Sequence, residues 1–163
     1  MNLIIRDFFY NHICSSPLIS SKIRTFLYKR GGGVKLGNNV DICPHCFVGN
    51  NNLEIGDSTF INYNVWFNTA GGIKIGCRCN IAYQVTFATS THLIGSRERR
   101  AGTATAKSIE IGNGTWIGAR SVILPGVKIG DGVIIGAGAV VVEDCEDNGL
   151  YAGNPAHLVK RLK

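Results

Sequence analysis

No run of eighteen apolar residues occurs anywhere in the 163 residues, so the sequence offers no helix able to cross a bilayer. The first residues are apolar, but Arg6 and Asp7 interrupt them and no small-residue cleavage site follows, so no secretory leader is expected. The expected location is the cytoplasm or the inner face of the membrane, with the six cysteines as thiols. Acidic residues are few, 11 against 17 lysines and arginines, which leaves a net charge of +6. That excess is scattered and accompanied by no nucleic-acid-binding motif, which argues against nucleic acid and suits a polyanionic small molecule. A second CxxC pair is also missing. Cys43 and Cys46 form one, but Cys77 and Cys79 form a CxC, so a four-cysteine zinc site is not expected. Cys43-Pro44-His45-Cys46 resembles a redox motif, which needs a helix N-terminus to acidify its thiol. Here it falls inside a different pattern.

That pattern has a period of six. Residues 108–143 divide as SIEIGN, GTWIGA, RSVILP, GVKIGD, GVIIGA and GAVVVE, with a branched aliphatic at Ile111, Ile117, Ile123, Ile129, Ile135 and Val141. The same beat runs through Leu36, Ile42 and Val48, then Ile55, Ile61 and Phe67, then Ile75, Ile81 and Phe87. All fifteen positions are apolar, and glycine follows eight of them. Neither a helix nor a strand has this period. A solenoid of short parallel strands does. Six residues make one strand and a corner, three units close a triangular coil, and fifteen anchors make five coils. Coils spaced as neighbouring strands give a prism about 24 Å long. So thin a prism has little interior, which favours burial against a second subunit.

The breaks in the beat divide the chain. One extra residue falls at Asn50-Asn51-Asn52, and a swelling at Ala70-Gly71-Gly72. Between Phe87 and Ile111 the beat vanishes and then resumes in register, so residues 88–108 leave the prism and return as a functional loop. The organisation read from the sequence is a helical cap at 1–33, a parallel β-helix at 34–145 and a tail at 146–163. In the cap, Leu3, Ile4, Phe8 and Ile13 line one helix, and Ile23, Phe26 and Leu27 a second, with Ser20 or Ser21 as its N-cap. Gly31-Gly32-Gly33 is the hinge. The cap protects the open end of the solenoid; its basic residues Lys22, Arg24, Lys29 and Arg30 also allow a peripheral membrane contact.

The run IEIGNG-TWIGAR-SVILPG-VKIGDG-VIIGAG, followed by YAGNPAHLVKRL, resembles the hexapeptide-repeat acyltransferases. Within them it is most similar to the sugar O-acetyltransferases of maltose, galactosides, nodulation factors and surface polysaccharides. The resemblance covers residues 34–163. It implies an all-β fold, a left-handed parallel β-helix, assembled as a homotrimer with acetyl-CoA as donor, no metal, and active sites between subunits. It implies an acceptor that is a sugar or glycan precursor, as in surface-polysaccharide biosynthesis. It assigns His92, at the start of the protruding loop, as general base and the backbone N–H of Ala119 as oxyanion donor. Imidazole suits the first role because it can take the proton of an attacking hydroxyl and return it to the leaving thiolate. A fixed N–H suits the second because attack creates a tetrahedral oxyanion.

The same resemblance places Asn62 at the acceptor, with Asn68 a substitute for an acceptor-binding aspartate that here aligns with Ala70. It places Gly118, Ala119 and Ala137 along the pantetheine arm, with Trp116 alongside. A threonine–lysine pair of the family is replaced by Val142 and Glu143, so His157, Lys160 and Arg161 become the candidates for the coenzyme phosphates. Two other readings stay open. An N-acetyltransferase of a nucleotide-linked amino sugar uses the same fold and donor, and a structural solenoid uses no donor. A zinc enzyme on this fold needs three converging histidines, and His92 has none on the neighbouring coils.

Overall fold

The computed structural model describes residues 3–31, 34–49 and 52–163; the proposed extra residue at 50–51 and the centre of the glycine hinge lie outside them. The six-residue beat becomes three parallel sheets. Face one carries Val34–Leu36, Leu53–Ile55, Ile73–Ile75, Ile109–Ile111 and Lys128–Ile129. Face two carries Asp41–Ile42, Phe60–Ile61, Asn80–Ile81, Trp116–Ile117, Ile134–Ile135 and Gly149–Gly153. Face three carries Phe47–Val48, Trp66–Asn68, Thr86–Ala88, Val122–Ile123 and Val140–Val141. The chain visits the faces in turn and completes five coils. A sixth begins where Cys145 bridges Ile129 and Gly149–Gly153 joins face two, so the solenoid runs past residue 145 into what reads as a tail.

The anchors do what the period requires. All of them except Leu36 are buried. Ile61, Ile81, Ile117 and Ile135 lie in register on successive coils of face two. Phe67 and Phe87 stack on face three with ring centroids 5.3 Å apart. β-Branched side chains suit this interior, because each stands on the pleat and meets its copy one coil away. Tyr151 takes the next place after Ile135 and plugs the far end, its hydroxyl accepting from the Glu146 N–H at 2.8 Å.

The near end is closed by helices. An α-helix, Leu3–Phe8, runs on as a π-helical turn, Phe9–Cys14, and a second α-helix covers Ser21–Arg30. Ser20 is the N-cap, its side chain accepting from the Ile23 N–H. Of the two apolar rows expected from the sequence, Leu27 packs against the core, but most of the others face outward. Ile4, Phe8, Ile13, Ile23 and Phe26 are exposed, while Tyr10, Cys14, Arg24 and Tyr28 face the prism. The reason is Arg24, which is 1% exposed. Its guanidinium donates to the carbonyls of Cys14 (2.8 Å), Ser16 (2.7 Å), Ile19 (2.8 Å) and, on the first coil, Ile42 (2.9 Å). Those carbonyls end one helix, line the connection and edge the prism. Their positions turn the helix so that Arg24 points inward, and Ile23 and Phe26 then cannot. Thr25 adds a bond to the Val40 carbonyl, and Asn11 bonds both the N–H and the carbonyl of Val48.

Replacing Arg24 by methionine strands four carbonyls, two of them in buried bonds and two in part-buried ones. It should cost roughly 3 kcal/mol or more, read as a lower urea midpoint, with hydrogen exchange rising first at residues 3–31. An unchanged midpoint would show that the guanidinium is dispensable.

Candidate functional site

Two corners of the prism are built from similar turns but end differently. Between faces one and two, the N–H groups of the turn are capped by side chains of the next coil. Asn38 N–H donates to Asp57 (2.6 Å), Cys77 to Asn113 (2.9 Å), Asn113 to Asp131 (2.6 Å) and Asp131 to Asp147 (2.8 Å). This asparagine–aspartate ladder satisfies the corner internally. Between faces two and three there is no such ladder. Asn62, Ala82, Gly118, Gly136 and Ala152 stack in register there, each of the first four donating its N–H to the coil above. The residues that follow, Tyr63, Tyr83, Ala119 and Ala137, form the ridge. Only Tyr63 is capped, its N–H donating to Asn62 Oδ1 at 2.8 Å. Among the described residues, the N–H groups of Tyr83, Ala119 and Ala137 have no protein acceptor. A row of unpaired backbone N–H groups spaced one coil apart can bind carbonyl oxygens or an oxyanion.

The ridge therefore gathers Asn62, Gly118, Ala119 and Ala137. Their roles differ. Asn62 spends its side-chain oxygen on Tyr63 and has its amide nitrogen to offer a ligand. Gly118 is buried, and a Cβ there would fall 2.5 Å from Ala137 N. Packing of the next coil accounts for that glycine without any ligand. Trp116 stands half-exposed on the adjoining strand of face two.

Sequence reasoning missed the side chains that flank Ala119. Tyr83 is half-exposed directly below it, and the Arg120 guanidinium lies 6.0 Å from the Tyr83 ring. Arg120 Nε donates to Gln84 at 2.8 Å, which fixes the cation beside the ridge. No periodicity could flag them, since αL corner positions such as Gln84 and Arg120 tolerate many polar residues.

His92 stands elsewhere. The segment expected to leave the prism is an antiparallel hairpin, Ser90–Ile94 with Ala101–Ala106, and His92 pairs with Ala104. It springs from the corner between faces three and one, whereas the ridge lies between faces two and three. Its base is clamped. Lys107 N–H donates to the Thr89 carbonyl (2.9 Å), and Thr89 Oγ1 donates to the Asn68 carbonyl (2.7 Å) while accepting from the Gly71 N–H (2.9 Å). The swelling at 70–72 makes room for this base. A Cβ on Gly71 would meet the Lys107 carbonyl at 2.5 Å. Asn68 belongs to the same clamp: its amide donates to Ser90 Oγ at 2.8 Å and its Oδ1 faces Thr89 Oγ1 and the Ala70 N–H. Its polar atoms are thus engaged in holding the hairpin. Every residue of the His92 strand is exposed, Leu93 and Ile94 included.

The last strand, Ala156–Arg161, folds back on Gly149–Gly153. His157 lies opposite Ala152, at the end of the ridge, and Lys160 opposite Leu150. Arg161 is tied to the Glu146 carboxylate and the Asp147 carbonyl. Of these three tail residues, His157 and Lys160 are left nearer the ridge.

Two other features compete for attention. A concavity of about 890 Å³ runs along face one and the capped corner, bordered by Lys35, Glu54, Lys74, Glu110 and Lys128. Its corner N–H groups are already satisfied and its charges alternate, with Lys35 and Glu54 2.5 Å apart, so the open ridge is the better site. The Cys43–Cys46 motif is a corner, with His45 at φ 63°. Cys46 is buried and donates to the Asn62 carbonyl at 3.3 Å, and burial pushes its thiol up to about 12, too high for redox exchange.

The family of bacterial transferase hexapeptide repeats (six repeats) matches residues 108–143. A Dictyostelium discoideum protein named as an acetyltransferase is 41% identical over 111 residues, 68% of this chain and 58% of its own length. The chain thus spans little more than half the length of the curated relatives it matches. Among solved structures, a hexapeptide-repeat acetyltransferase from Vibrio cholerae complexed with acetyl coenzyme A is 30% identical, covers 99% of this chain and 87% of that one, and superposes with a TM-score of 0.88. A maltose O-acetyltransferase from Clostridium difficile 630 is 28% identical over 99% of this chain and 84% of that one, with a TM-score of 0.78.

Thr89→Val should free the hairpin, because it leaves the Gly71 N–H and the Asn68 carbonyl unpaired at a cost of about 1–3 kcal/mol. Amide exchange at residues 90–106 should rise while the anchor strands stay protected. Equal protection in both proteins would show that Thr89 is not the clamp.

Proposed function

The chain belongs to the hexapeptide-repeat acetyltransferases, left-handed parallel β-helix proteins, and from that premise we propose that it moves the acetyl group of acetyl-CoA to a sugar hydroxyl. The observation that carries this is the open ridge. The pantetheine arm lies along Ala119 and Ala137, where unpaired N–H groups meet its carbonyls and small side chains leave the wall clear. The coenzyme phosphates lie toward His157 and Lys160, at the ridge end. The acceptor enters from the other side, toward Asn62 and Tyr83.

In the reaction, His92 takes the proton of the acceptor hydroxyl as that oxygen attacks the thioester carbonyl. The Ala119 N–H holds the resulting oxyanion. Collapse expels the coenzyme thiolate, which recovers the proton from His92, and the acetyl group stays on the sugar as an ester. Because His92 and Ala119 rise from different corners, the reading includes a homotrimer in which the hairpin of one subunit reaches the ridge of the next. Two features support it. The His92 strand is exposed along its whole length, and a two-stranded hairpin is marginal without cover. The sugar acceptor is supported by the likeness to the maltose O-acetyltransferase. Within sugars, the proposed acceptor is a surface-polysaccharide precursor, on the resemblance to the polysaccharide branch of the family and on the N-terminal helical element.

Calorimetric titration with acetyl-CoA should find one site per subunit, and its absence would remove the donor from the proposal. His92→Ala should lower turnover by roughly two to four orders of magnitude with acetyl-CoA affinity little changed. Retained turnover would dismiss His92 as the base. Ala119→Trp should instead weaken acetyl-CoA binding by roughly ten- to a hundredfold. Unchanged affinity would mean the pantetheine arm runs elsewhere.

A further inference from the structure

The N-terminal helices present an outer surface that the fold does not use. The helix Ser21–Arg30 buries Arg24 and Tyr28 and turns Lys22, Ile23, Phe26, Lys29 and Arg30 outward. These five fall on one face at helical spacing. Arg30 lies over the Phe26 ring at 5.3 Å, so cation and apolar body form one unit. On the first helix Ile4, Ile5 and Phe8 are exposed, Ile4 by 78%. Between the helices Leu18 projects with 92% of its surface open. Isolated exposed apolar residues need no explanation, but this many on a short element mark a contact surface.

The charge says what kind of contact. Residues 3–31 contain five lysines and arginines and a single acid, Asp7, which holds the Asn11 amide at 2.9 Å. Arg24 is buried and Arg6 donates to the Gly49 carbonyl, so Lys22, Lys29 and Arg30 remain as the exposed cations. Apolar side chains interleaved with cations and almost no acid match an anionic bilayer surface, where rings and aliphatics enter the headgroup region and cations meet lipid phosphates.

We propose that the outer face of the N-terminal helices, with Ile4, Phe8, Leu18, Ile23 and Phe26 as the inserting groups and Lys22, Lys29 and Arg30 as the cations, docks the protein on an anionic membrane surface. The proposal stands independently of the acetyl-transfer reading. A single such face binds weakly. In a trimer of parallel prisms, three faces would point the same way and act together.

The test is sedimentation of the purified full chain with phosphatidylglycerol–phosphatidylcholine vesicles against vesicles of phosphatidylcholine alone. Binding is expected only to the anionic vesicles and should weaken as salt rises. Phe26→Ser should lower the partition by roughly tenfold or more, and the pair Lys29→Glu and Arg30→Glu should abolish it. All three positions are exposed, so melting temperature and acetyl-CoA affinity should not move; the charge-reversal pair serves as the second variant if Phe26→Ser folds poorly. Equal binding to both vesicle types, or to neither, would overturn the proposal. So would a change in the solution mass of the lipid-free protein on Phe26→Ser, because a second copy of the chain would then be the occupant. Sedimentation is blind to chemistry at the ridge, so failure here leaves the acetyltransferase reading untouched.

Discussion

Everything in this molecule follows from the narrowness of the prism. An interior one side chain wide on each face leaves no room for alternatives at the anchors, so the same small set of shapes recurs at Ile61, Ile81, Ile117 and Ile135. A coil cannot shift its register without moving every anchor from inside to outside. The sheets are thereby locked, and the corners become the only places where backbone groups can be spent freely. Function is confined to what the corners leave open and to what is inserted at them.

The corners show how a repeating scaffold separates support from chemistry. At one edge an asparagine–aspartate ladder consumes the turn N–H groups, each coil capped by the next. At another, alanines and tyrosines stand in place of the capping residues, and the N–H groups of Tyr83, Ala119 and Ala137 are left without a protein acceptor among the described residues. A difference of one side chain per coil turns a structural seam into a binding line. The proposed chemistry uses the main chain there, which explains how a residue as plain as Ala119 can hold a central place.

Much of this was legible in the sequence, for a physical reason. The anchors repeat because each meets the same environment, so period alone revealed three faces, the coil boundaries and the insertion at 88–108. The orientation of the N-terminal helices was not legible. The apolar spacing of Ile23, Phe26 and Leu27 was plain, but the partners of Arg24 include the carbonyl of Ile42, and no local pattern announces a long-range acceptor. In the sequence, Gly118 and Asn68 resemble ligand-facing positions. One is demanded by the coil above it and the other is engaged in the hairpin clamp, both consequences of register rather than residue type. The Tyr83–Arg120 pair escaped notice because its members lie a whole coil and an insertion apart in the chain.

The hairpin leaves and rejoins the solenoid at one point. Thr89 and Lys107 close its stem, and Ile109 then pairs with Ile73 as though nothing had intervened. Such a graft can lengthen, shorten or be exchanged without asking any coil to adjust, because the strain of the change stops at the stem. The scaffold is thus insulated from changes at the tip carrying residues 95–100. The length of the hairpin is thereby uncoupled from the folding of the coils, even though His92 lies only three residues beyond Thr89.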